Sequence, residues 1–123
     1  MGKQYDQRDE KQLPIVTRWL DLTAWLMDTT SRMPRKWRHS LVHRMDQEAI
    51  EVLLLLTEAA YRRRKIDLLR ETNLKLSRLR SLLELAHRVE ALSAGAHERA
   101  VVAVDEVGRM LGGWLKEVAG REQ

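Results

Sequence analysis

Cysteine and phenylalanine are absent from this 123-residue sequence, and it has only two prolines and six glycines. The absence of cysteine excludes a disulfide framework, a thiolate nucleophile and a Cys-ligated zinc site. Apolar runs such as Val52 to Leu56 are far shorter than the roughly 20 residues that cross a bilayer, and the N-terminus lacks a signal-peptide pattern. We therefore expect a cytoplasmic protein without a membrane segment, whose fold depends on packing alone.

The composition and the apolar spacing favour helices over strands. Residues 1–12 show no periodic apolar pattern, so we predict a flexible N-terminal arm there and one domain over residues 13–120. Helix one is predicted from about Leu13 to Arg32, with Pro14 suited to its first turn. Its expected buried stripe recurs every three to four residues and consists of Val16, Trp19, Leu20, Thr23, Leu26, Met27 and Thr30.

Pro34 ends that pattern and predicts a tight link before helix two. The apolar positions of helix two are Leu41, Val42, Met45, Ala49, Val52, Leu53, Leu56, Ala59 and Ala60. Ile50, Leu54 and Leu55 make this apolar face wider than a single stripe, which indicates a second buried surface.

Helix three is predicted from about Ile66 to Leu92, after a basic turn. Ser93 is a suitable N-cap for helix four, which we expect to end at Gly120. Four helices with short links predict an all-α fold, an antiparallel up-down-up-down four-helix bundle.

The sequence contains no motif that predicts catalysis. It has no phosphate-binding glycine loop, no nucleophile elbow and no paired carboxylates in an apolar stretch. His39 and His43 have the spacing of a metal-binding pair but lack a zincin glutamate, so surface histidines are the preferred interpretation. Asp105 and Glu106 are adjacent and point in different directions around helix four, as solvated or interface side chains would. We therefore predict a protein that is not an enzyme and that has no cofactor and no metal site.

Basic residues are the most distinctive chemistry of the chain, although its formal net charge is only +4. Residues 61–80 hold eight basic side chains and two acidic ones, and residues 33–45 hold no acid at all. In an antiparallel bundle these two basic clusters lie at opposite ends. Solvated helix faces are the ordinary explanation of such clusters. Arginine outnumbers lysine sixteen to six, however, and its planar fork suits phosphates and carboxylates, so RNA, DNA or an acidic protein surface is a reasonable partner.

Three of the tryptophans have distinguishable expected roles. Trp19 and Trp114 fall on apolar stripes and are predicted to be core residues. Trp37 lies between two basic residues and can either stack on a base or pack at the start of helix two. We favour packing, because tryptophans at helix starts commonly serve that purpose.

Helix four contains three glycines between Val107 and Trp114, each of which costs about 1 kcal/mol relative to alanine. Gly108 and Gly112 are four residues apart and would leave a flat groove on one helix face. We predict that Gly108, Gly112 and Trp114 serve helix or subunit packing.

The same segment carries a resemblance to a known family. The pattern Glu-Val-Gly-Arg-x-Leu-Gly-x-Trp-Leu from Glu106 to Leu115, together with Pro34-Arg35-Lys36, resembles the accessory variability determinant (Avd) proteins of diversity-generating retroelements. The likeness covers about residues 13–118. The Pro-Arg-Lys element and the bundle are shared with a wider four-helix family that includes proteins encoded in intervening sequences of 23S ribosomal RNA genes.

This resemblance implies a homopentameric barrel of four-helix subunits, of bacterial, archaeal or phage origin. It also implies a non-catalytic accessory protein that binds a reverse transcriptase and its template RNA or cDNA during mutagenic reverse transcription. The alternative is an oligomeric scaffold of the ribosomal intervening-sequence type with no reverse transcriptase partner. The residues predicted to contact phosphates or partners are assigned mainly by charge and are Arg35, Lys36, Arg38, Arg62, Arg63, Arg64, Lys65, Arg78 and Arg80.

Overall fold

The computed structural model describes residues 13–122, so the predicted flexible arm of residues 1–12 lies outside the described residues, as does residue 123. Four α-helices follow one another within this range. They are α1 (Leu13–Thr30), α2 (His43–Tyr61), α3 (Ile66–Arg88) and α4 (Ala94–Arg121). Residues 13–122 contain no strand, and this part of the chain is all-α as expected.

Ion pairs between α2 and α3 show that these two helices run in opposite directions. Lys75 on α3 pairs with Glu51 on α2, and Arg78, further along α3, pairs with the earlier residue Glu48. α2 packs on α1 and α3, and α4 packs on α3 and α1, which closes the ring of four helices. The predicted up-down-up-down bundle is confirmed, while its assembly into a pentamer stays a prediction.

Tryptophans and leucines from all four helices fill the core. Trp19 and Trp114 are both fully buried, as predicted. The indole N–H of Trp19 donates a 2.8 Å hydrogen bond to the carbonyl oxygen of Ala49, which ties α1 to α2. Replacing either tryptophan with alanine would cost about 3–5 kcal/mol, because the surrounding helices cannot collapse into so large a void.

The buried stripe predicted for helix one is partly wrong. Leu20 and Met27 are 51% and 40% exposed, although Trp19 and Leu26 beside them are buried. The core covers a narrower arc of α1 than the apolar residues occupy. On α2 the surplus apolar residue Leu54 is likewise exposed, so no surface of the described chain covers this wide face.

The entry to helix two differs from the predicted tight link. Residues Arg35–Trp37 form a short 3-10 turn and Arg38–Val42 form a π-helical turn before α2 begins at His43. The N–H of Trp37 donates to the carbonyl oxygen of Pro34 at 3.0 Å, which closes the first of these turns. π-helical turns are rare and occur frequently at functional sites.

Helix three ends earlier than predicted, at Arg88, because Glu90 adopts a left-handed backbone conformation with φ of 61°. The N–H of Ala91 then donates to the carbonyl oxygen of Ala86 at 2.9 Å, a bond that satisfies a free carbonyl at a helix end. Ser93 caps α4 as predicted, since its hydroxyl oxygen accepts a bond from the helix backbone.

Two ends of the bundle matter for the sites below. The Pro34 end consists of the α1–α2 link (residues 31–42) and the α3–α4 link (residues 89–93). The Arg63 end is the α2–α3 link, residues 62–65. Within residues 13–122, no helix combines the length and the hydropathy that a membrane crossing needs.

Candidate nucleic-acid interface

Three predicted contact residues lie in the turns at the Pro34 end. Arg35, Lys36 and Arg38 are all exposed. No carboxylate within residues 13–122 forms an ion pair with any of them. The ammonium of Lys36 lies 5.2 Å from the ring centroid of Trp37. Two guanidinium groups and one ammonium group are therefore available to phosphates at this end.

Three further arginines form a similar group at the Arg63 end. Arg62, Arg63 and Arg64 are exposed in the link between α2 and α3. Arg62 reaches back to Glu58 at 3.4 Å, but both side chains of this pair are about half exposed or more. Such surface pairs contribute about 1 kcal/mol at most, so a phosphate can compete for the guanidinium.

Lys65, the last residue of the same basic run, lies in the interior. It is 1% exposed, and its ammonium lies 5.4 Å from the ring centroid of Trp114. Its backbone N–H donates to the carboxylate of Glu122 at 3.1 Å. The predicted role of Lys65 as a surface contact does not fit this placement, and the Arg63 end presents three cations rather than four.

Two predicted contact residues on helix three join neighbouring helices. Arg78 Nη2 lies 2.7 Å from Glu48 Oε1 on α2, and Arg80 Nε lies 2.8 Å from Asp105 Oδ1 on α4. Both arginines are partly exposed, but their charges are neutralised by these pairs. Their ion pairs join α3 to both α2 and α4.

Neither carboxylate of the adjacent pair on helix four is simply solvated. Asp105 accepts from Arg80 on α3, while Glu106 forms an ion pair with Arg18 on α1. The two side chains diverge around the helix, as predicted, and each reaches a different neighbouring helix.

Lys75 and Glu51 form an ion pair between α3 and α2, with Nζ 2.6 Å from Oε2. The hydrogen bond from Lys75 lowers the pKa of Glu51 below its ordinary value of 4.5. The positive charges of Lys75, Arg78 and Arg44 act in the same direction, and partial burial opposes them. Glu51 therefore stays ionised at neutral pH, and its ion pair with Lys75 bridges α2 and α3.

The two exposed basic groups are separated by the length of the bundle. α2 has 19 residues between the Pro34 end and the Arg63 end, which corresponds to about 28 Å at 1.5 Å per residue. The groups are therefore separate patches, as expected from the antiparallel topology. One extended nucleic acid can reach both, but one phosphate cannot.

The residues predicted to serve packing on helix four have different environments. Trp114 is fully buried in the bundle core. A Cβ at Gly108 would lie 2.8 Å from Arg80 Nη2, so this glycine makes room for the arginine of α3. A Cβ at Gly112 would meet nothing within 4 Å, and this glycine faces open space. The described chain gives Gly112 no packing partner, and its predicted role in subunit contacts is untested.

Two hypotheses from the sequence concern the Pro34 end: the role of Trp37, and metal binding by His39 and His43. Trp37 is partly buried and packs against the core, which matches the packing interpretation rather than an open stacking platform. His39 and His43 are both exposed. Within residues 13–122, no three His, Asp or Glu side chains are grouped as metal ligands.

An apolar strip lies on the outside of α1 and α2, where the sequence had predicted part of the buried stripe of helix one and a second buried surface on helix two. Its most exposed members are Leu20 and Met27 on α1, and Ile50, Leu54 and Tyr61 on α2. Residue 24 on α1 and residues 47 and 57 on α2 share these helix faces and are uncharged. The width of the apolar face in helix two was the available signal, but its exposure could not be deduced from periodicity.

Comparison with known proteins adds one finding. No curated protein matches the chain. The family model described as bAvd-like matches residues 13–118, a span that includes all four helices except the last three residues of α4. The match confirms the resemblance to Avd proteins, and the chain belongs to the bAvd-like family.

Proposed function

We propose that this chain is a non-catalytic accessory protein that binds a reverse transcriptase and its template RNA or cDNA, and so supports mutagenic reverse transcription in a diversity-generating retroelement. The family match over residues 13–118 carries the proposal. The structure supplies the chemistry through exposed cations at both ends of the bundle. A cytoplasmic location belongs to this proposal.

The arrangement of these cations suits phosphates rather than bases. Arg35 and Arg38 at one end, and Arg63 and Arg64 at the other, are exposed and have no carboxylate partner within residues 13–122. Contacts to phosphates carry little sequence information but make the affinity strongly dependent on salt. The proposed binding is therefore electrostatic and tolerant of sequence.

The apolar strip on α1 and α2 supports the proposal that the chain forms a homo-oligomer. Large apolar side chains such as Leu20 on α1 and Leu54 on α2 are exposed on neighbouring helices. Several such side chains on one side of a bundle favour an interaction site there. A pentamer is the assembly that the family resemblance implies, and we adopt it as the expected subunit number.

A salt titration of RNA binding tests the nucleic-acid part of the proposal. A structured RNA and a DNA duplex are titrated with protein at about 50 mM and about 200 mM salt. Between these salt concentrations, the affinity of a protein that contacts several phosphates falls by orders of magnitude. Two variants of equal charge change are compared. One carries R62Q, R63Q and R64Q, and the other carries R35Q, K36Q and R38Q.

We expect tight binding at low salt and loss of affinity in whichever variant lacks the contacting patch. Each lost phosphate contact should reduce the slope of log affinity against log salt by about 0.7–0.9. Absence of binding at low salt would contradict a nucleic-acid role. Unchanged affinity and slope in both variants would contradict the assignment of these arginines.

A second candidate function is an oligomeric scaffold of the ribosomal intervening-sequence type, without a reverse transcriptase partner. The apolar strip favours it, because assembly alone would explain that surface. Co-expression with the reverse transcriptase encoded beside the gene, followed by co-purification, separates the two. A stable complex supports the first function, and the absence of such a reading frame or complex supports the second.

A further inference from the structure

An apolar pocket opens at the Pro34 end, between the π-helical turn and the last part of α3. Its volume is about 500 Å³, within the range typical of ligand sites. The apolar side chains that line it are Trp37, Leu41, Leu82, Leu85 and Val89. Leu85 is 49% exposed, so the pocket holds apolar surface that the described chain leaves open to solvent.

The pocket begins where the ionic bridges between α2 and α3 stop. Arg78 on α3 is bonded to Glu48 on α2, and Lys75 is bonded to Glu51 one turn further away from the pocket. Beyond Arg78 toward the Pro34 end, the residues that line this side are Leu82 and Leu85 on α3 and Val89 just after it. Toward the Pro34 end, the groove between α2 and α3 therefore changes from a charged surface closed by ion pairs to an apolar surface open to solvent.

The polar side chains around the pocket are basic or neutral. His39, His43 and Arg44 line it together with a serine, and none of the described lining residues is an aspartate or glutamate. The nearest acids along α2 are engaged elsewhere. Asp46 accepts from the hydroxyl of Thr30 at 2.7 Å, and Glu48 is held by Arg78.

One donor near the pocket has no partner. The indole Nε1 of Trp37 is buried and forms no hydrogen bond within the described part of the chain. A buried donor without a partner is unfavourable, because it has lost its hydrogen bond to water and gained none in return. An occupant with an acceptor oxygen would remove this cost if a small rotation of the indole exposed the N–H to it.

The lining suits a protein side chain better than a nucleobase. Base binding uses exposed aromatic platforms, whereas Trp37 packs against the core and the other apolar lining residues are aliphatic. Aliphatic grooves accept a bulky anchor from an amphipathic segment. The basic surroundings, with Arg35, Lys36 and Arg38 in the adjoining turns, complement carboxylates next to that anchor.

We propose that this pocket binds a bulky apolar side chain flanked by a carboxylate, on an acidic segment of a protein partner. The proposal rests on the proposed function only in requiring that the chain has a protein partner.

Two small probes with the same apolar body and opposite charge test the pocket directly. 4-Phenylbutyrate and 4-phenylbutylamine are titrated into the ¹⁵N-labelled full chain, and the indole N–H signal of Trp37 is followed. We expect the carboxylate to shift this signal to saturation and the amine to bind about five- to ten-fold more weakly. No shift with either probe, or equal affinity for both, would overturn the proposal.

Variants at exposed positions locate the binding. L85D places a carboxylate in the pocket and should abolish the shift, while R44Q should reduce the preference for the carboxylate probe. L74D is the matched control, because Leu74 is 60% exposed on the same helix and does not line the pocket. Equal behaviour of L85D and L74D would overturn the proposal, as would tighter binding of adenosine monophosphate than of 4-phenylbutyrate at the same signals.

These probes also separate the pocket from the proposed function. The L85D variant should keep wild-type RNA affinity and should lose retention of the co-expressed reverse transcriptase. A protein that binds neither RNA nor reverse transcriptase, but still binds 4-phenylbutyrate at Trp37, would refute the proposed function and leave the pocket intact. RNA affinity that falls in L85D but not in L74D would show that the pocket binds RNA rather than a protein side chain and would overturn the proposal.

Discussion

Arg78 Nη2 lies 2.7 Å from Oε1 of Glu48, a carboxylate whose side chain is only 4% exposed. The other oxygen of Glu48 is buried and has no hydrogen-bond partner within residues 13–122. Within residues 13–122, Arg78 is thus the ion-pair partner of the nearly buried Glu48 carboxylate. Removing Arg78 would leave the buried carboxylate of Glu48 unpaired. An unpaired buried charge destabilises a fold more than an apolar residue at the same place does.

We therefore predict that R78M lowers the free energy of unfolding by about 1–3 kcal/mol, the usual cost of leaving a buried polar group unpaired. R88M is the control, because Arg88 forms only an exposed pair with Glu84 and should change stability by less than about 0.5 kcal/mol. Urea denaturation measures both. Adding E48Q to R78M should recover part of the loss, and equal effects of R78M and R88M would refute this role.

A charge in the apolar strip should break the proposed oligomer. Leu54 is 62% exposed on α2, so L54D should leave the bundle folded and lower the assembled mass. V102D is the matched control, since Val102 is 58% exposed on α4, away from the strip. Light scattering at micromolar concentration gives the mass of each variant. A wild-type monomer, or L54D with the wild-type mass, would contradict the assignment of this surface.

The Lys75–Glu51 pair predicts a specific dependence of stability on pH. The pKa of Glu51 is lower in the folded chain than its ordinary value of 4.5. Its stabilising contribution is therefore fully present above that value and is lost as the pH falls through the lower, folded-state pKa. Glu51 is 41% exposed, so the contribution is about 1 kcal/mol at most.

We expect the stability difference between the wild type and E51Q to be present at about pH 7 and to shrink toward zero at about pH 3. Denaturation curves at both pH values measure it. E58Q is a comparison on the same helix, because Glu58 makes only a longer 3.4 Å surface pair. A difference that grows on acidification would contradict the sign of the pKa shift.

The glycines of α4 should respond differently to alanine. Gly112 faces open space, so G112A should raise the free energy of unfolding by about 0.5–1 kcal/mol through helix propensity. G108A should gain less, because its new Cβ would force Arg80 Nη2 to move from 2.8 Å. Thermal unfolding ranks the two variants, and a larger gain for G108A would contradict this account. Weaker assembly in G112A would indicate close approach of another subunit at that face.

The sequence predicted the features that depend on local spacing and capping. Helical periodicity gave four helices, Ser93 was correctly identified as an N-cap, and Trp19 and Trp114 were correctly assigned to the core. Where helix three ends was less predictable, because Glu90 adopts a positive φ that sequence seldom signals in a residue other than glycine.

Features that depend on distant residues could not be predicted. Lys65 belongs to a run of four basic residues, and nothing local indicates burial. Its position is set by Trp114 and Glu122, which lie about fifty residues further along the chain. The pocket beside Trp37 depends similarly on leucines from α3 that meet a π-helical turn, and hydrophobic periodicity carries no signature of that turn.

The distance between the two basic ends sets a minimum footprint for a rigid duplex. A 19-residue α2 separates them by about 28 Å, which equals about eight base pairs of B-form DNA at 3.4 Å of axial rise per pair. A shorter duplex can occupy only one end of a given bundle, and a longer duplex lying along the helices can occupy both. In a ring of such bundles, duplex length would then decide whether a DNA duplex is held by one subunit along its axis or bridges several subunits across one rim.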